Sequence, residues 1–100
     1  MGAEAFQRVV NGKTAQEAFA LAVSDAQHES GHSGYTGTVA EKSGFRVLSV
    51  PDEVVHFLGV AGLVAHFESG DHDVYQDKWG PAGCVDLLDG SYLFFGIASS

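Results

Sequence analysis

Several things are scarce in this chain, and each scarcity excludes something. Cys84 is the only cysteine, so no internal disulfide framework can exist. Residues 1–10 contain Glu4 and Arg8 but no basic segment leading into an apolar run, so a secretory signal is not expected. Together these readings place the protein in a reducing cytoplasm. Bases are few as well: five Lys and Arg stand against 13 Asp and Glu, a formal net charge of -8. A field of that sign repels phosphate backbones and anionic lipid, so neither direct nucleic-acid binding nor membrane-surface binding is expected. Long apolar runs are also missing. The longest, residues 54–67, is interrupted by His56, Gly59, Gly62 and His66 and is shorter than the ~20 residues a bilayer span needs.

What is present suits one compact domain. The chain has 100 residues, 45% of them hydrophobic and 11% aromatic, enough for one domain and too little for two independent cores. Its acids are unevenly spread. Residues 1–46 carry four bases and five acids, whereas residues 47–100 carry eight acids and a single base, Lys78.

Local patterns predict the elements. Phe6 to Val10 reads as a short strand closed by the turn dipeptide Asn11-Gly12. Thr14-Ala15-Gln16-Glu17 fits a capping box, and Ala15, Ala18, Phe19, Ala22 and Ala26 follow at helical spacing, predicting a helix over 14–28 that lies closely on a sheet. Tyr35 to Lys42 and Phe45 to Val50 read as two strands joined at Lys42-Ser43-Gly44, an antiparallel hairpin over 38–50. Pro51-Asp52-Glu53 starts a second helix, over roughly 51–67. That helix is apolar on more than one face, which predicts burial, with a break near Gly59 or Gly62. Asp89-Gly90 between two apolar runs predicts a hairpin over 84–97 with a two-residue type I′ turn. Tyr92-Leu93-Phe94-Phe95, apolar at every position, reads as a central strand covered on both faces. The expected fold is α+β: an antiparallel sheet of four to five strands with two packed helices.

Two groups of residues could carry function. The first is the acidic second half, where Asp71, Asp73, Asp77, Asp86 and Asp89 surround Trp79, the single tryptophan. Carboxylates steer a cationic partner and an exposed indole supplies contact area, so this set predicts a binding surface for a basic protein. Trp79 packed beneath its own Gly80-Pro81 turn is the competing expectation. The second group is His28-Glu29-Ser30-Gly31-His32, which matches H-E-x-x-H. On a helix that spacing sets two imidazoles on one face for zinc, with the glutamate as general base. Gly31 inside the motif and Gly34 after it look instead like a helix end, where histidines serve the dipole and the terminal carbonyls. The third zinc ligand would come from His56, His66, Glu68, His72 or Asp73, and nothing in the sequence selects among them. Cys84, with no base adjacent in sequence, reads as a buried inert thiol.

The strings Tyr35-Thr36-Gly37-Thr38-Val39-Ala40-Glu41-Lys42 and Asp77-Lys78-Trp79-Gly80-Pro81-Ala82-Gly83, with Thr14-Ala15-Gln16-Glu17-Ala18-Phe19 and Leu93-Phe94-Phe95-Gly96, resemble a family of small single-domain proteins of bacteria and their mobile elements, to which no function is attached. The resemblance spans most of the chain. It implies a small interaction protein, such as a mobile-element inhibitor that occupies a basic surface of a host protein. The function expected from the sequence is therefore non-enzymatic: an acidic interaction module without cofactor, the alternative being a zinc protein, hydrolytic or not, built on His28 and His32.

Overall fold

The computed structural model describes residues 2–30, 36–70 and 72–100. The β-prone run near the start extends in both directions to make strand β1 (Ala3–Asn11). Helix α1 (Ala15–Ser30) follows, two residues longer at its end than the pattern predicts. Thr14 Oγ1 accepts from the Glu17 amide at 3.1 Å, while the Glu17 carboxylate accepts from the Lys13 amide at 3.4 Å, one residue before the position a capping box prescribes. Ala18, Ala22 and Ala26 are wholly buried, so the helix lies close to the sheet. Phe19 is its large anchor, its ring 5.0 Å from Phe45 and 5.5 Å from Phe94. Such aromatic contacts add roughly 0.5–1.5 kcal/mol each beyond the area they bury.

Beyond α1 come a 3-10 turn (Val39–Glu41), the short strand β2 (Phe45–Val47), helix α2 (Asp52–Ser69), a second 3-10 turn (Asp73–Tyr75), and strands β3 (Ala82–Asp86) and β4 (Ser91–Ser99). Among the described residues the strands form one sheet in the order β1-β4-β3-β2. β4 pairs antiparallel with both β1 and β3, and β2 pairs parallel with β3. The fold is thus α+β as expected, but the sheet is mixed and not the antiparallel one expected, because β2 pairs parallel with β3. The chain crosses from one edge to the other through α1 and steps back by one strand through α2. Because the two crossovers move in opposite directions, a common handedness puts the helices on opposite faces. Two cores result. One joins α1 to Val10, Cys84 and Phe94; the other sets Val55 and Leu63 of α2 against Val85, Leu93 and Phe95. β4 is central and covered on both faces, as its continuous apolar sequence predicts.

Three expectations are corrected. The antiparallel hairpin over 38–50 does not form. Thr38 caps the first 3-10 turn by accepting from the Ala40 amide, and the Glu41 carboxylate takes both the amide and the hydroxyl of Thr36. Local hydrogen bonds thus bend the segment that alternation makes look extended. β2 pairs instead with a strand 37 positions further on, from Phe45 opposite Ala82 to Val47 opposite Cys84. Helix α2 is not buried: Val55 and Leu63 are the residues it fully buries, and Phe57 is 87% exposed. Its axis breaks at Gly59, at φ 66° and ψ -174°, as the sequence suggests. Lastly, the β3–β4 connection is a four-residue loop, with positive φ at Leu88 and Gly90 and not at Asp89. The carboxylate of Asp86 accepts from the Leu88 amide at 2.8 Å and that of Asp89 from the Ser91 amide at 3.1 Å, fixing a turn built on side chains.

Candidate functional site

Where the chain leaves the second 3-10 turn and enters β3, it encloses an open cleft of about 260 Å³ lined by Arg46, Asp73, Val74, Gln76, Asp77, Gly80 and Pro81. Each wall has a local cause. His72 Nδ1 accepts from the Val74 amide at 3.3 Å and so caps the 3-10 turn that carries Asp73. Asp77 Oδ1 accepts from the Trp79 amide at 2.9 Å, and the Gly80 amide donates to the Asp77 carbonyl, closing the turn that presents the tryptophan. Arg46 on β2 approaches Asp73 at 3.7 Å across the mouth. Trp79 is 64% exposed, so it is not packed beneath its turn, and Lys78 Nζ lies over its ring at 5.2 Å.

The turn is held from below by Lys42. This lysine is buried, and its ammonium donates to the carbonyls of Lys78 at 3.0 Å and Gly80 at 2.8 Å. Burial pushes its pKa down, and the Asp77 carboxylate works against that shift. The two idiosyncratic strings of the sequence therefore meet physically, one supplying the cation and the other the carbonyls. Neither Lys42 nor Arg46 stands out in the sequence as part of a site; the usable signal is that 42 is one of five basic positions and lies within the first string.

The predicted acidic set is divided. Asp73 and Asp77 line the cleft, and Trp79 is carried on the turn that Asp77 closes. Asp86 is the last residue of β3 and Asp89 lies in the loop after it, so about 13 Å of extended strand separates them from the cleft. Their carboxylates are engaged in the turn, and the hydrogen bonds from Ser91 hold the Asp89 pKa down, with a smaller contribution from His56. Asp71 lies outside the described residues.

Of the H-E-x-x-H segment, His32 lies outside the described residues and His28 is exposed on the last turn of α1. Glu29 is engaged elsewhere: the Arg8 guanidinium of β1 donates to both its oxygens, at 2.7 and 3.1 Å, and holds its pKa down. No group of three His, Cys, Asp or Glu side chains converges among the described residues. Cys84 is wholly buried, which pushes its thiol up to about 12, so it is not a thiolate at neutral pH. No helix among the described residues is long and apolar enough to cross a membrane. No protein-family profile, curated protein or solved structure matches the chain.

Proposed function

We infer that the protein is a small interaction module, and that the cleft lined by Asp73 and Asp77, with Trp79 on the adjoining turn, docks a cationic segment of a partner protein. The observation carrying this reading is Trp79: a large side chain left 64% exposed in a turn fixed by Asp77 and by the buried Lys42. An indole presented so rigidly loses little entropy on contact, which is what an interface anchor requires. Lys78 already lies over the ring at 5.2 Å, so a guanidinium or ammonium from the partner stacks on the opposite face or displaces it. Arg46 lowers the negative charge of the rim and favours a partner that brings one or two cations. In the setting suggested by the resemblance, the module occupies a basic surface of a host protein. For zinc on His28 and His32 no observation among the described residues speaks, and Glu29, its would-be general base, is held by Arg8.

The test is a titration with an arginine-rich peptide at low salt, following Trp79 emission and backbone amide shifts. Saturable shifts confined to residues 73–81 and weakened by salt are expected. Trp79→Ala should weaken binding by about 2 kcal/mol. Asp77→Asn keeps an acceptor for the Trp79 amide and should mainly slow association. Equal shifts at Asp86 and Asp89, or none at 73–81, would overturn the reading.

A further inference from the structure

We propose that the free edge of β1 is a self-association surface on which two copies of the chain join their sheets, antiparallel, about a twofold axis at Phe6. Among the described residues the sheet has two edges, β1 and β2, and they differ in defence. β2 is three residues long, which blunts one edge. β1 is nine residues long and pairs with β4 in unbroken register from Ala3 opposite Ser99 to Asn11 opposite Ser91. It contains no proline, no lysine and no bulge, the usual devices that keep an edge from pairing.

The ladder fixes which backbone groups are free. Gly2 and Ser100 exchange hydrogen bonds at 3.1 and 3.2 Å, and the Gly12 amide donates to the Gly90 carbonyl. In an antiparallel pair such exchanges alternate, so even residues of β1 bond to β4 and the amides and carbonyls of Ala3, Ala5, Gln7 and Val9 point outward. A second β1 can therefore bond only odd residue against odd.

Among the registers this allows, the one centred on Phe6 uses every side chain. It sets Ala5 against Gln7 and Ala3 against Val9 as hydrogen-bonded pairs. Between them it sets Phe6 against Phe6, and Glu4 against Arg8, as the closer non-hydrogen-bonded pairs. Shifting the centre to Ala5 or Gln7 leaves Glu4 opposite an apolar residue. Arg8 gives two donors to its own Glu29 and has more to offer a second carboxylate. Apart from that internally balanced pair β1 carries no charge, so it is a neutral seam on a chain of net charge -8. On the α2 face, Ala3, Ala5, Gln7 and Val9 are all exposed, and joining the sheets covers Ala3 with Val9 and Ala5 with the stem of Gln7. A twofold pairing consumes both free edges and closes the assembly at two chains.

Sedimentation equilibrium of the full chain at high micromolar concentration should give twice the 10.5 kDa chain mass. Gln7→Pro removes an outward amide without touching the β4 ladder, and should return the mass of one chain with an unchanged circular dichroism spectrum. Ala5→Pro should do the same and serves if the first variant fails to fold. Phe6→Cys should cross-link two chains under mild oxidation, since only a register centred on residue 6 sets that position opposite itself; the buried Cys84 leaves the parent chain uncross-linked. A single-chain mass for the parent protein overturns the proposal. So does a two-chain mass that folded Gln7→Pro and Ala5→Pro retain, or a folded Phe6→Cys dimer that does not cross-link.

Discussion

Single residues decide where this protein is rigid. Lys42 is costly to bury, and it is retained because its ammonium satisfies two carbonyls of the Trp79 turn. Lys42→Met keeps the stem and deletes the donors, so it should destabilise the fold by about 2 kcal/mol and shift Trp79 emission. Normal stability in a denaturant titration would mean the turn stands without it. Alkali probes the buried acids. The Cys84 thiol is raised from 9.0 to about 12 by burial, and the Tyr75 hydroxyl, which has no hydrogen-bond partner among the described residues, is raised from 10.0 to about 12. A raised folded-state pKa stabilises fully below the unfolded value and is lost as pH rises toward the folded one. Lys42, lowered below 10.5, works in the opposite sense. Two groups against one predict a melting temperature that falls above pH 9, with a shallower fall in Cys84→Ala and Tyr75→Phe. Tyr75→Phe should also be neutral or stabilising at pH 7, since it removes an orphaned hydroxyl.

Elements were legible in proportion to how local their causes are. Helix α1 announces itself through Thr14, Glu17 and the alanine face, and the β3–β4 hairpin through Asp89-Gly90. The conformation of that hairpin's loop was not legible, because Asp86 and Asp89 turn their carboxylates onto the backbone. The parallel β2–β3 pairing could not be read locally at all. Its partners are far apart in sequence, and the intervening apolar helix looks the same whether buried or half-covered. The site follows the same rule: Asp77 and Trp79 are neighbours in sequence and remain together, whereas Asp86 and Asp89 share only their charge with the cleft and are carried away along β3. Gly59 is the element-scale test. Its φ and ψ belong to a region open essentially to glycine alone, and beyond its chain neighbours and its own helix backbone nothing among the described residues lies within 4 Å of where a Cβ would stand. Gly59→Ala should therefore cost roughly 1–3 kcal/mol through backbone strain alone. A gain in stability would show that α2 prefers to run straight.

For the whole molecule, uneven charge sets the response to salt. Eight acids in residues 47–100, offset by one base, repel one another, so moderate salt should raise the melting temperature by screening, even as it weakens capture of a cationic partner. A melt that does not move with ionic strength would show that the acids are too dispersed to matter. The architecture has a further consequence, in time. β4, the central strand, is the last of the four to be synthesised, and both its neighbours, β1 and β3, depend on it for pairing. On the ribosome β1 waits with an unsatisfied ladder until β4 emerges, and it is exposed to misplaced pairing throughout that interval. The meeting of Gly2 with Ser100 offers a way round the delay. A circular permutant that links those ends and opens the chain between Asp89 and Gly90 makes the central strand first, and should fold to the same structure with less loss to aggregation during expression.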